Sequence, residues 1–215
     1  MALCYRTSAR AAAQTAAAIE GAGVRALAVQ ADVSDPVAAE ALVRRVEATW
    51  GRIDALVNCA GPFHKVELLE ETPAGWREMI DNNLHPLFYL GRAVAPGMMA
   101  RKWGRVLAFA MATADQLTAQ TNVTAHYIAK AGTLVLVRSL ARVLGPHGIT
   151  VNAISPGFID SGGSDPAELQ KMVPRIPAGY LGDVDDVVGA ARFLLSDEAR
   201  YVTGTNIHVS GGWGV

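Results

Sequence analysis

Apolar and polar positions follow two rhythms along this chain. Short aliphatic runs, VRALAVQADV, IDALVNCAG, RVLAFAMA, ITVNAISPG and NIHVSGG, recur between longer Ala-rich or amphipathic stretches. Such runs read as strands and the stretches between them as helices, so their alternation predicts βαβ units, a parallel sheet and helices on both of its faces. Between Pro36 and Trp50, Val37, Leu42, Val43 and Val46 return at helical spacing while Glu40, Arg44, Arg45 and Glu47 mark a wet face. Ser34, ahead of Asp35-Pro36, is a candidate start for that helix. From Ala131 to Leu144 nearly every side is apolar, which predicts a helix whose outer face is covered too, most simply by another subunit. Gly, Ser, Asp and Pro cluster within residues 158–182 around one short helical piece, AELQKMV. Beyond a strand's carboxyl end, that segment is a candidate substrate lid.

Composition narrows the class. The 215 residues are 51% hydrophobic and carry a formal net charge of -1, which suits one well-buried domain over residues 1–215. A nucleic-acid surface would need a basic footprint, and no sustained Lys/Arg cluster is present. No apolar run reaches membrane-spanning length, and the N-terminus lacks the basic-then-apolar pattern of a secretory signal, so a cytoplasmic protein is expected. Cys4 and Cys59 lie in apolar, strand-like segments without metal-ligand spacing; they read as buried reduced thiols, and no metal site is expected.

Several segments carry a resemblance. QADVSD, NCAG, DNNL, the helix containing AKAG, ITVNAISPGFID and YVTGTNIHVSGGW resemble, in order and approximate spacing, the landmarks of the classical short-chain dehydrogenase/reductase family. The likeness spans almost the whole chain. It implies a single α/β domain, a doubly wound Rossmann-type parallel sheet that binds NAD or NADP and transfers a hydride to or from a carbonyl or alcohol carbon. In that family the strand ending CYRTS is the second. The first, central strand, its Gly-rich turn and the first helix have no counterpart here, so the resemblance implies a sheet truncated at the N-terminus that either keeps a slot or draws the neighbouring strands together. The missing turn is where glycines let a backbone approach the pyrophosphate.

The resemblance also distributes cofactor roles. Arg6, with Thr7 and Ser8, follows the strand end and matches the pattern of a 2′-phosphate site, where a guanidinium forks onto phosphate oxygens; NADP(H) is therefore expected in preference to NAD(H). Asp32 and Val33 correspond to the adenine contact, although Asp also suits a plain turn. Asn58, Ala60 and Gly61 match NNAG, with Cys59 in place of one Asn. Pro156, Gly157 and Ile159 match the segment beside the nicotinamide amide.

Catalysis in the family uses Asn, Ser, Tyr and Lys, with Tyr four residues before Lys on one helix face. Asn83 and Lys130 match. In HYIAK, however, Tyr127 precedes Lys130 by three residues and His126 by four. Tyr127 donates the proton if the helix opens with a tightened turn; His126 replaces it if an imidazole serves; or the acid has been lost. No Ser follows RVLAFAMA. Counting back from Lys130 places Thr113 at its position, whereas counting from the strand places Met111 there. The expected function is that of an NADP(H)-preferring, 3-oxoacyl-reductase-like oxidoreductase acting on a small carbonyl or alcohol substrate, assembled as a homodimer or homotetramer. The alternative is a catalytically silent scaffold or ligand-binding protein of the same fold.

Overall fold

The computed structural model describes residues 1–163 and 165–215. Its elements run β1 (Ala2–Tyr5), α1 (Ala9–Gly21), β2 (Leu27–Gln30), α2 (Pro36–Trp50), β3 (Ala55–Asn58), α3 (Pro73–Asn83), α4 (His85–Arg101), β4 (Gly104–Phe109), α5 (Thr124–Leu144), β5 (Ile149–Pro156), β6 (Ile159–Asp160), α6 (Pro166–Gln170), β7 (Gly182–Asp183), α7 (Val184–Leu195) and β8 (Asn206–Val209).

The strands pair in parallel, as the alternation of apolar runs requires, but in separate pieces. β3, β4, β5 and β8 form one sheet in that order, β1 pairs only with β2, and β6 pairs with β7. Among the described residues no ladder joins β1 to β3, which is the interruption expected of a sheet without its central strand. Cys4 on β1 and Cys59 beyond β3 are both exposed, and Val57 on β3 is 42% exposed. The expectation of buried thiols is thereby corrected: they border an open strand edge. Enough protein still surrounds each to raise its pKa.

Period-two alternation explains the two cores. Val106 and Ala108 of β4 and Val151 and Ala153 of β5 face α2, α4 and α5, packing with Val43, Leu87, Val94, Leu134 and Val137. Leu107 and Ile154 face the other way onto Leu194 of α7. α1 buries only Ala12, so the β1–β2 unit is tied to the main body largely through α2, whose Ala39 and Val43 enter the larger core.

Helix starts follow local chemistry. Asp35, rather than Ser34, caps α2 by accepting from the Val37 N–H, with Pro36 in the first turn and Gly51 in the left-handed region at the far end. Ser34 instead turns back to Asp32. α7 opens with a reciprocal capping box between Asp183 and Asp186. Within the expected lid, helix is confined to α6 and a short 3₁₀ turn at Val173–Arg175; Ser164 lies outside the described residues.

Candidate active site

Four elements bring side chains together at the carboxyl ends of β3 and β4. Asn83 sits at the end of α3, just before Leu84 separates α3 from α4. It is 1% exposed, and its amide donates to the carbonyls of Pro62 and Met79, each at 3.0 Å. Its Oδ1 is buried without a partner among the described residues. Gly61 shows how tightly this corner is built: a Cβ there would stand 2.1 Å from Asn83 Oδ1 and 3.4 Å from Lys130 Nζ, and its φ of +151° suits glycine. Asn83 and Lys130 therefore flank one point in space.

Lys130 reaches from α5 and donates to the carbonyl of Phe109 at the end of β4, at 3.0 Å. Burial lowers its pKa to about 8, against a smaller opposing influence of Cys59. One turn earlier on the same face, His126 is 8% exposed and leaves Nδ1 buried and unpartnered. Its pKa falls to about 4, first through burial, then through the charge of Lys130 and of His64. The imidazole stands edge-on to Phe63, with ring centroids 5.1 Å apart.

Tyr127 points elsewhere. Its hydroxyl donates to the Thr113 carbonyl at 2.6 Å and accepts from the Thr118 N–H at 3.0 Å. It lines a cavity of about 390 Å³ with Leu117, Thr118, Gln120 and Ile128. The helix start does not tighten to re-aim it, since the Tyr127 N–H bonds the Val123 carbonyl in ordinary i to i−4 fashion at 2.8 Å. Thr113 itself has φ +74°, uncommon for a β-branched residue, and its Oγ1 is buried without a partner among the described residues. Three buried polar atoms without partners thus fall on Asn83, Thr113 and His126, three positions that sequence reasoning singled out.

The remaining candidates lie along the sheet's carboxyl edge. Asn58 is buried and Ala60 half-buried. Asp32 accepts from the Ser34 N–H and hydroxyl, bonds that lower its pKa; Val33 packs against the large core. Arg6, Thr7 and Ser8 are exposed, and Arg6 Nη1 donates to Asn82 Oδ1 at 2.9 Å, a contact from the end of β1 to α3. Pro156 and Gly157 close β5 against β8, where a Cβ on Gly157 would come within 2.7 Å of the Ser210 Cα. Ile159 lies on β6, next to the expected lid. The fold adds residues that the sequence did not single out: an irregular loop packs Phe63 against His126 and pairs His64 with Glu71; no spacing rule marks them.

The chain is similar to proteins of one family along nearly its whole length. A family described as enoyl-(acyl carrier protein) reductase matches residues 1–214. The 3-oxoacyl-[acyl-carrier-protein] reductase FabG of Salmonella typhimurium is 35% identical over 185 residues, 84% of this chain and 75% of that protein. The FabG of Staphylococcus aureus is 35% identical over 198 residues, 90% and 79% of the two chains. Among solved structures, a candidate short-chain alcohol dehydrogenase from Sinorhizobium meliloti superposes with a TM-score of 0.91 at 30% identity, covering 99% of this chain and 85% of its own. A blue fluorescent protein from a metagenomic library, in complex with NADPH, gives 0.90 at 30% identity, covering 100% and 87%. The match along nearly the whole length establishes that the chain belongs to the short-chain dehydrogenase/reductase family of NAD(P)-dependent oxidoreductases.

Proposed function

We propose that the protein is an NADP(H)-preferring reductase of 3-oxoacyl-type carbonyl substrates, working with Asn83, Thr113, His126 and Lys130. The observation that carries this reading is the corner at Gly61 that Asn83 Oδ1 and Lys130 Nζ flank; Asn83 Oδ1, Thr113 Oγ1 and His126 Nδ1 are also among the side-chain atoms buried without a partner among the described residues. Leaving such atoms unpaired costs about 1–3 kcal/mol each, a cost that a ligand or water at the site would relieve. The residues fit the nicotinamide end of a dinucleotide. Lys130, Asn58, Ala60, Gly61, Pro156, Gly157 and Ile159 would hold that end, Asp32 and Val33 the adenine, and Arg6 with Thr7 and Ser8 a 2′-phosphate. When bound, the cofactor supplies the hydride.

The protein's own groups handle the substrate oxygen. Thr113 Oγ1 donates a hydrogen bond to the carbonyl, and His126, held within the buried face of α5, passes a proton to that oxygen. Lys130 supplies positive charge at the floor of the site, and Asn83, tied to two carbonyls, orients a water through its free Oδ1. Tyr127 serves structure by anchoring residues 113–118. Ile128, Val135 and Val143 leave an apolar face of α5 exposed, which supports assembly as a homodimer or homotetramer, and residues 158–182 act as the substrate lid.

Calorimetric titration with NADPH and with NADH tests this reading. Binding with NADPH preferred is expected. One observation favours the silent scaffold, the missing ladder between β1 and β3; a folded sample that binds neither nucleotide would decide for it.

A further inference from the structure

The loop between β4 and α5 crosses the carboxyl end of the sheet and is fastened there at three points. The Ala112 N–H donates to the Pro156 carbonyl at the end of β5, at 3.1 Å, and the Thr113 carbonyl accepts from the Tyr127 hydroxyl of α5 at 2.6 Å. Two residues further on, Asp115 Oδ2 accepts from His208 Nε2 at 2.8 Å and from Asn206 Nδ2 at 3.1 Å. Asn206 and His208 are alternate residues of β8 and so share one face of the sheet. Asn206 is itself fixed, since its Oδ1 accepts from the hydroxyl of buried Ser155 on β5 at 2.8 Å. Two donors meeting on one oxygen settle the chemistry of this cluster: Asp115 is an ionised acceptor, His208 carries its hydrogen on Nε2, and Asn206 turns its amide nitrogen to the carboxylate. Burial pushes the Asp115 carboxyl up, but the hydrogen bonds from His208 and Asn206 outweigh it and hold the group below its ordinary value.

Thr113 lies between these fastenings in a conformation it would not hold alone. Its φ of +74° is in the left-handed region, which a β-branched residue avoids, and such a backbone persists only where its surroundings over-determine it. Tyr127 fixes the carbonyl side, and Gly214, where a Cβ would stand 2.6 Å from Thr113 Cγ2, closes over the methyl. The Thr113 carbonyl also accepts the Gln116 N–H at 2.9 Å, so the turn from Thr113 to Gln116 contains Asp115. We infer that Asp115, gripped by His208 and Asn206, is the positioning residue that holds the Thr113 hydroxyl in place for the substrate carbonyl. Asp115 acts through that turn: once it is released, Thr113 relaxes towards negative φ and its Oγ1 swings out of line. The inference rests on the reductase reading, in which Thr113 polarises the carbonyl.

The test compares wild type with Asp115→Ala, Asp115→Asn, Thr113→Val and the double variant Asp115→Ala with Thr113→Val, using NADPH and an acetoacetyl thioester as substrates. Asp115→Ala is expected to lower kcat about tenfold with the KM for NADPH unchanged. Asp115→Asn keeps an oxygen that accepts from both donors and is expected to restore part of the loss. In the Thr113→Val background Asp115→Ala should cost no further kcat, because two residues that act through one hydroxyl are not additive. Methyl NMR of the threonine-labelled, ligand-free protein, with the Thr113 signal identified by its disappearance in Thr113→Val, should show that signal displaced in Asp115→Ala. If Asp115→Ala does not fold, His208→Gln and Asp115→Asn take its place in the same comparison. An active wild type alongside an Asp115→Ala variant with unchanged kcat, or with the same loss whether or not the Thr113 hydroxyl is present, overturns the inference and leaves the reductase reading intact. A folded wild type that reduces no acyl thioester overturns the reductase reading; the hold of Asp115 on Thr113 then stands if the methyl signal moves in Asp115→Ala and falls if it does not.

Discussion

His126 and Lys130 stand one turn apart on the buried face of α5, whereas the Tyr127 hydroxyl bonds the Thr113 carbonyl at 2.6 Å. Residues four apart on a helix share a face and residues three apart project at a different angle, so a single-residue change of register moves the imidazole, and not the phenol, beside the lysine. His126→Ala should therefore lower kcat by about 100-fold. Tyr127→Phe should leave kcat within a few-fold while costing about 1 kcal/mol of stability through the lost hydroxyl bond. Steady-state rates with NADPH and urea melts of both variants check this.

Thr113 offers a way to separate function from stability. Its Oγ1 is buried and unpartnered among the described residues, so Thr113→Val removes an unsatisfied polar atom while keeping the shape. Stability should hold or rise by up to about 1 kcal/mol, while turnover falls at least tenfold if the hydroxyl polarises the substrate carbonyl. Equal turnover in wild type and variant would remove Thr113 from the mechanism.

Gly61→Ala should damage the site directly. The new Cβ would stand 2.1 Å from Asn83 Oδ1 at a φ of +151°, forcing Asn83 off its bonds to Pro62 and Met79. A loss of about 1–3 kcal/mol and of most activity is expected. A melting curve and turnover equal to wild type would show that the corner is looser than its contacts imply.

Acid should weaken the fold through His126. Its pKa drops from 6.5 to about 4 in the folded protein, mainly by burial, so the unfolded chain binds the proton more readily. The group costs nothing above pH 6.5, and its penalty grows to on the order of 3 kcal/mol as pH falls through 4. Lys130, lowered from 10.5 to about 8 chiefly by burial, acts with the same sign at higher pH: its cost is full below 8 and is relieved as pH rises towards 10.5. His126→Gln should flatten the rise in stability between pH 4 and 6.5, read from denaturant midpoints across that window.

Much of this protein was legible in its order of residues. Period-two runs such as RVLAF and ITVNAI declared strands because alternate side chains must enter two cores, and Val106 and Leu107 do enter opposite ones. The extent of α2 followed from helical spacing, although the capping residue proved to be Asp35, because a carboxylate beside Pro36 reaches the free N–H groups and Ser34 is held by Asp32. The spacing of Asn83 and Lys130 from the other landmarks was also written in the chain. Tertiary structure alone decided the rest. Whether β1 and β3 would close up or stand unpaired depends on how α2, α4 and the strands pack, not on either strand. The thiols of Cys4 and Cys59 are exposed because that ladder is open. The packing of Phe63 against His126 joins an irregular loop to a distant helix, and local sequence carries no signal for such a meeting, since the contact arises only when the chain has folded back on itself.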